Sequence, residues 1–367
     1  MKLIFLYSSR GARNHDRWDS SKESKSSIAI QYKTDGYSYV FDRLIEKGVL
    51  DEVNTFVEVG RCHGHIKISD SHYVYAIPFI NCVKSYVKPG DIFFIRGGWK
   101  HWASFHQLYY KRHWHMYYGA GTPRSNWAYW HVVFNDFVYS PRMGRHHPTV
   151  PFIKPIHPKI FYPIDNEKEY DVLLNSCFHI YDKKGQYKMI NAAVKYKEMF
   201  GKDLIIALPG GVYKSNYTNQ IPQIIKDYNL KVFRPGILAR QDLNVLINKC
   251  KMYAHIGYGE QNARSALEAM RCNLPLYIAS PRLWPSFVSN HPRVTRLCTQ
   301  PNNPKQVAIE VHQMLQDISA GKYRDSSKHF ENCNSPEFLI KQMTQLIEIM
   351  KKNPIPDQNI LRTELGI

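Results

Sequence analysis

The sequence predicts an α/β protein with two domains, each built on a parallel sheet whose strands are joined by crossover helices. The chain has 367 residues, which is long for one core and suits two domains. Short apolar runs alternate with segments of helical periodicity, most regularly in the second half. A proline-rich passage at 146–163 disfavours both helix and central strand, so it is predicted to link the domains.

The first domain is expected to occupy residues 1–150. An amphipathic helix is predicted at 37–48, where Gly48 is typical of a helix end. Buried strands are predicted at the apolar runs 2–9, 51–60, 91–98, 113–121 and 131–140.

The second domain is expected at 151–335 and alternates more regularly. Its predicted strands are 170–178, 202–211, 230–236, 251–258 and 274–280. Its predicted helices are 186–200, 219–228, 240–250 and 261–273. This βαβαβαβαβ order is typical of a doubly wound nucleotide-binding domain. A long helix is predicted at 335–353, and we expect residues 336–367 to pack back on the first domain.

Composition narrows the class of protein and of partner. An apolar content of 44% excludes a disordered chain, and a net charge of +18 favours nucleotide phosphates, nucleic acid or an anionic membrane surface as partner. Solvated surface lysine is the alternative explanation. Seven scattered cysteines without a CxxC pair favour free thiols and a cytoplasmic location. No apolar run reaches ~18–20 residues, so no transmembrane segment is predicted, and peripheral membrane contact stays open.

One short cluster invites a metal interpretation. Cys62, His63 and His65 are metal-ligating residue types. No fourth ligand follows at a matching spacing, so no metal site is predicted.

Two glutamates stand at the start of the helix predicted at 261–273. Glu260 follows a strand, and Glu268 lies ~80° past two full helical turns, so both fall roughly on one face. Carboxylates there can accept hydrogen bonds from vicinal hydroxyls. The amides of Asn262, Ala263 and Arg264 at the positive helix end could hold a diphosphate, and Arg264 adds a charged fork. The alternative is a dipole-favoured acid followed by an ordinary surface glutamate.

The segment "EQNARSALEAMRCNLP" resembles the E-x7-E element of retaining GT-B glycosyltransferases of family 4. In matching order, "KPIHPKIFYP", the Lys-Gly of "KKG" and "VFRPGILARQDLNVLINKCKMYAHIGYGE" are also similar to family segments. The resemblance covers roughly residues 150–285. It implies a GT-B fold of two Rossmann-like domains facing a cleft, with the nucleotide-sugar on the second domain and the acceptor on the first. It also implies metal-independent transfer with retention, without a cofactor beyond the nucleoside-diphosphate sugar as co-substrate.

The resemblance assigns roles to individual residues. Glu260 would bind donor-sugar hydroxyls, Glu268 the nucleotide ribose, and Lys184 would neutralise the leaving diphosphate. Gly236 lies in the similar run and is a further donor-side candidate. The chain departs from the family where an Arg usually precedes the Lys-Gly and where a Gly-rich turn follows the first glutamate. Lys183 or Arg264 could replace the missing charge.

Acceptor candidates come from the Trp-, Tyr- and His-rich stretch between "WKHW" and "NWAYWHVVF". Aromatic faces stack on sugars or bases, although a tyrosine-rich core explains many of these residues. Loops at strand ends favour Trp99, Thr122, Arg124 and Asn126 as acceptor-binding residues. The family often has a histidine of this domain near the reacting sugar, which makes His101 a catalytic candidate.

The acceptor predicted by the resemblance is a glycan or polysaccharide. One alternative is a viral or phage enzyme acting on hydroxymethylated DNA bases, which would explain the positive charge and the aromatics. Another is a non-catalytic binding protein on the same fold, and a third is a sugar-nucleotide epimerase of GT-B type.

Overall fold

The computed structural model describes residues 1–7, 32–58, 64–77, 80–96, 109, 111–118, 131–135, 148–151, 154–176, 182–212, 215–257, 263–281 and 284–366. The chain divides into two compact units. The first comprises Met1–His157 together with Pro336–Ile367, and the second comprises Pro158–Ser335. The division falls inside the proline-rich passage at 146–163.

The strands of the described residues are numbered β1 to β14 in chain order. They are Lys2–Tyr7, Glu52–Glu58, Gly64–Ser69, His72–Ile77, Ile92–Arg96, His115–Tyr118, Val132–Asn135, Thr149–Pro151, Tyr170–Leu173, Ile206–Pro209, Val232–Gly236, Cys250–His255, Leu276–Ile278 and Thr295–Leu297.

The α-helices of the same residues are numbered α1 to α10. They are Gly36–Glu46, Gln186–Phe200, Asn216–Asp227, Arg240–Asn248, Arg264–Arg271, Ser286–Ser289, Pro304–Ser319, Ser326–Asn334, Pro336–Lys352 and Gln358–Leu365. A 3-10 helix adds Ile80–Tyr86.

The first unit is built on an eight-stranded sheet in the order β3-β4-β2-β1-β5-β6-β7-β8. Its pairs are parallel except β3 with β4, which is antiparallel. The inner strand β1 contributes fully buried Leu3 and Phe5 to a core that also contains Phe41 of α1. Met343 and Ile347 of α9 lie in the same core, so the C-terminal helix packs within this unit.

The second unit is built on a six-stranded parallel sheet in the order β11-β10-β9-β12-β13-β14. With β9 counted as the first strand of this unit, the order is 3-2-1-4-5-6, the Rossmann arrangement. Both units are therefore α/β with Rossmann-like parallel sheets. A core on one side of the sheet joins α2 and α7 through residues such as Met189, Ala193 and Val311.

Up to β13, the strands and longer helices of the second unit coincide with the predicted segments, with ends displaced by a few residues. The elements that were not assigned from sequence are the β3–β4 hairpin, the 3-10 helix, β8, α6, β14, α7, α8 and α10.

Candidate functional site

The strand order of the second sheet fixes where a ligand can enter. From β9 the chain moves outward through β10 and β11, then returns to the other side of β9 at β12. Helices after β9 and β12 therefore leave on opposite sides, and a crevice opens beyond the carboxyl ends of these two strands. Open α/β sheets bind ligands at this point.

A glycine-dependent contact closes one side of this crevice. Gly185 adopts a left-handed conformation with φ of 83° at the start of α2. A Cβ on Gly257 would lie 1.9 Å from the carbonyl oxygen of Lys183, and one on Gly185 would lie 2.8 Å from the Gly257 nitrogen. Two backbones can approach this closely only without side chains. The Lys183–Gly185 loop is thereby held against the chain that leaves β12.

Lys184 of this loop lies close enough to His255 to affect its ionisation. His255 is the last residue of β12 and is buried. Burial, and then the positive charge of Lys184, lower the pKa of His255 to about 3. A neutral imidazole therefore lies beside an ammonium group at the carboxyl end of β12.

The same strand end is tied to the first turn of α5. The Nδ1 atom of His255 lies 3.3 Å from the hydroxyl of Tyr253. That hydroxyl lies 2.7 Å from the Oγ of Ser265. Because Tyr253 is fully buried, this chain of polar contacts fixes the start of α5 relative to the sheet.

The two helices that begin at the crevice differ at their N-termini. The carboxylate of Asp182 accepts hydrogen bonds from the backbone amides of Tyr187 at 2.9 Å and Lys188 at 3.3 Å, so it caps the start of α2. Burial raises the pKa of Asp182. The N-cap of α5 is Ala263, which has no side-chain oxygen to accept its amides. Neither N-cap residue, Gly185 of α2 or Ala263 of α5, accepts a hydrogen bond through its side chain, so the difference between the helices among the described residues is the carboxylate of Asp182 at α2.

Glu268 lies on the buried side of α5, with 5% of its surface exposed. Its Oε1 lies 3.3 Å from a guanidinium nitrogen of Arg240, the first residue of α4. Its Oε2 accepts a long 3.4 Å contact from the side-chain amide of Asn175, just beyond β9. Glu268 therefore joins three elements at the carboxyl edge of the sheet.

The predicted donor-side residues are brought together in part. Lys183 is exposed and Lys184 half-buried at the crevice, and Ala263, Arg264 and Glu268 lie on the first two turns of α5. Gly236 ends β11 at the same sheet edge but two strands from β9, where its carbonyl accepts the Gly210 amide at 2.7 Å. The remaining candidates lie outside the described residues: Glu260, Asn262, His101, Trp99, Thr122, Arg124 and Asn126.

Sequence reasoning missed four residues of this site. Asp182 carried a usable signal, because an acid shortly before a helix is a typical cap. His255 carried a weaker one as the polar end of an apolar strand. For Arg240 and Asn175 the sequence contains no such signal, because their contacts with Glu268 form only where three separate elements of the fold meet.

Within the described ranges, no group of three or more His, Cys, Asp or Glu side chains is arranged to hold a metal ion. Of the cluster noted in the sequence, His65 lies on β3, whereas Cys62 and His63 lie outside the described residues. In the described part of the chain, no helix combines the length and apolar character needed to cross a membrane.

Comparison with known proteins bears directly on this site. Residues 164–330 match the family "Glycosyl transferases group 1", just under half of the chain. A search of curated proteins finds no match.

Several solved structures share the fold at low identity. The sucrose-phosphate synthase (tll1590) from Thermosynechococcus elongatus aligns with a TM-score of 0.64 and 13% identity over 95% of this chain and 98% of that one. A glycosyltransferase from Rickettsia africae aligns at 0.63 and 12% over 96% and 99%. Anabaena Alr3699/HepE in complex with UDP-glucose aligns at 0.60 and 13% over 95% and 99%. Together with the family match, these likenesses support a GT-B fold in which residues 164–330 are similar to "Glycosyl transferases group 1".

Proposed function

We propose that this protein transfers a sugar from a nucleoside-diphosphate donor to an acceptor hydroxyl with retention of anomeric configuration. The observation that carries the proposal is the crevice beyond β9 and β12, bordered by the Lys183–Gly185 loop and α5. The group 1 match covers this crevice. The similar HepE structures are complexes with UDP and with UDP-glucose, which supports a nucleoside-diphosphate sugar as the ligand class.

The diphosphate would bind at α5 rather than at α2. Asp182 already occupies amides of α2 and would repel an anion there. At α5, the side chain of the N-cap Ala263 accepts no hydrogen bond, so the first-turn amides and the positive helix end would bind the diphosphate. Lys184 would add a positive charge from the opposite side of the crevice, supplemented by Lys183 and Arg264.

Glu268 would bind the ribose. An ionised carboxylate offers about four lone-pair sites. Asn175 and Arg240 each contact one of the Glu268 oxygens. The two contacts also fix the carboxylate in one orientation, which favours simultaneous acceptance from two vicinal hydroxyls.

In the proposed reaction, the bond between the anomeric carbon and the diphosphate oxygen breaks while the acceptor oxygen bonds to the same face. The acceptor proton passes to the departing phosphate oxygen. Lys184 and the α5 amides would stabilise the leaving diphosphate electrostatically, so this route calls for no divalent metal. Glu260 would hold the donor sugar, and His101 of the first unit would lie near it.

The acceptor we favour is a glycan or polysaccharide, and the cytoplasmic location predicted from the cysteines belongs to the same proposal. The net charge of +18 keeps hydroxymethylated DNA as the second candidate. Duplex binding that weakens steeply with salt would favour DNA, and no binding at low salt would exclude it.

Thermal unfolding with UDP, GDP and ADP tests the proposal. A nucleotide at ~100 times its Kd should stabilise the protein by ~2.7 kcal/mol. The substitution Glu268→Ala should reduce the shift, whereas Glu364→Ala, at an exposed position of α10, should not. No shift with any nucleotide would contradict the proposal and favour a non-catalytic binding protein.

A further inference from the structure

A second cavity, of about 340 Å³, lies in the second unit. One wall comes from the segment His291–Arg293, between α6 and β14. The other comes from Arg324 and α8, which contributes Lys328 and His329. The volume is within the range of small-molecule sites.

This cavity lies at the edge of the sheet opposite the nucleotide crevice. His291–Arg293 immediately precede β14, so they lie at the amino end of a parallel strand. Helix α5 starts at the carboxyl edge of the sheet and ends just before β13, at the amino edge. There the side-chain oxygen of Asn273 accepts a hydrogen bond from the Ser327 amide of α8 at 3.2 Å. Both walls therefore lie at the amino edge, and the cavity is separate from the proposed donor site.

The charges around the cavity are unbalanced. Arg293, Arg324 and Lys328 line it, against one carboxylate, that of Asp325. None of the three cations makes an ion pair within the ranges that the structure describes. Nearby Arg296 of β14, in contrast, pairs with Asp317 at 3.2 Å. All three side chains are exposed, so solvent screens their mutual repulsion, and an anion that enters the cavity would be attracted by each of them.

Two imidazoles complete the wall. The rings of His291 and His329 lie with centroids 4.0 Å apart. His329 donates from Nε2 to the Phe287 carbonyl at 2.7 Å, and its Nδ1 lies 3.9 Å from the Cys333 sulfur. The Nδ1 of His291 is shielded from solvent and has no hydrogen-bond partner among the described residues.

The ionisation of His291 responds to these neighbours. Burial, and then the charges of His329 and Arg293, lower its pKa. Arg324 and Lys328 line the same cavity and add like charge, while Asp325 opposes it. An entering anion would offset the repulsion and favour protonation of His291.

We propose that this cavity binds a phosphate group, either free or as a phosphomonoester, between the guanidinium groups, Lys328 and the imidazole pair. Guanidinium forks match tetrahedral oxyanions geometrically, and Lys328 supplies a point charge. Binding strengthens as the pH falls and His291 becomes protonated. The inference does not rest on the proposed glycosyl transfer.

Sulfate is a suitable probe because it remains a dianion between pH 6 and pH 8, so any pH dependence belongs to the protein. Equilibrium dialysis of radiolabelled sulfate at constant chloride should show tighter binding at pH 6 than at pH 8. The double substitution Arg324→Gln with Lys328→Gln should weaken binding by about tenfold or more, since charge-assisted hydrogen bonds are lost. The matched control Lys305→Gln, at an exposed position of α7, should leave affinity unchanged.

Replacing His291 by Asn should flatten the pH dependence while sulfate still binds at pH 8. Sulfate bound in the nucleotide crevice would be insensitive to all of these substitutions, and that result would overturn the proposal. So would binding no tighter than that of chloride. Competition by inorganic phosphate identifies a soluble ligand, whereas co-sedimentation with phosphatidic acid vesicles, lost in the double variant, identifies a lipid headgroup.

Discussion

Replacing Gly257 by alanine should damage the nucleotide crevice more than the size of a methyl group suggests. The new Cβ would lie 1.9 Å from the carbonyl oxygen of Lys183 and 2.6 Å from the nitrogen of Lys184. Cβ contacts below 3.0 Å are essentially never seen, so the loop must retreat by at least 1.1 Å, the difference between 3.0 and 1.9 Å. Both opposing atoms are backbone and cannot rotate away. We expect a loss of ~2–3 kcal/mol in the free energy of unfolding, at the upper end for overpacking.

The displacement also moves Lys184, the proposed counter-charge of the diphosphate. A shift of ~1 Å at a reacting centre can cost ~100-fold in rate. Urea unfolding and the Kd for UDP would be measured on the same preparations. The matched control is Gly201→Ala at the end of α2, where φ is 62° and a Cβ meets nothing within 4 Å. It should cost ~1–2 kcal/mol through backbone strain alone and leave the Kd unchanged. Stability and Kd near wild type in the Gly257 variant would refute the loop's role.

Three further predictions follow from the same geometry. Glu268→Ala should weaken nucleotide binding by ~10- to 150-fold with a smaller effect on kcat, whereas Glu260→Gln should mainly lower kcat. Nucleotide titration measures the first effect and steady-state kinetics the second. If both variants stay within twofold of wild type in both measurements, the roles implied by the family resemblance are contradicted. The pKa of His255 is about 3 in the folded protein and 6.5 in the unfolded chain, so the unfolded chain binds the proton more tightly. The free energy of unfolding should therefore be highest above pH 6.5. It should fall by up to ~1.4 kcal/mol per pH unit between pH 6.5 and pH 3. Urea unfolding between pH 4 and pH 7 should show part of that slope lost in His255→Gln, and an identical slope would place the titration elsewhere. Asp182→Ala should cost ~1 kcal/mol through loss of the α2 cap, measured by the same unfolding assay, while an unchanged midpoint would show that water replaces the cap.

Most of the second sheet was predictable because all its strands but β14 fall on short, largely apolar runs that alternate with periodic helices. In β9, β12 and β13 nearly every residue is buried, and apolar residues predominate although Asp171 and Lys251 interrupt them. Helix α7 was equally accessible in principle, since Asn303 caps it and Pro304 opens it. Helix α7 was nevertheless not predicted, because the sequence after it contains no apolar run as strong as those of the predicted strands.

The β3–β4 hairpin is a different case. In β3, the exposed residues His65 and Lys67 alternate with residues that are only half-buried. The strand therefore has no face that is fully buried in the core. The hairpin is part of the sheet because β4 pairs in parallel with β2, and this pairing joins residues that are not neighbours in sequence. Local periodicity carries no information about such pairing.

The site was predictable to the extent that one helix carried it. The spacing that placed Glu268 on α5 depends only on helical geometry, and the resemblance then supplied a role. Which groups fix its carboxylate could not be predicted, because Arg240 and Asn175 reach it from other elements. Contacts between elements depend on packing, which a single sequence reports only through burial.

The distribution of charge within the second unit separates two kinds of positive group. At the carboxyl edge of the sheet, two acids already have partners: Arg240 lies beside Glu268, and amides of α2 donate to Asp182. At the amino edge, Arg324 and Lys328 have no such partner within the described residues. Because the sheet lies between the two edges, substitutions at one should leave ligand binding at the other unchanged. A double variant at the amino edge that loses sulfate but retains its UDP shift would show that the two sites are independent.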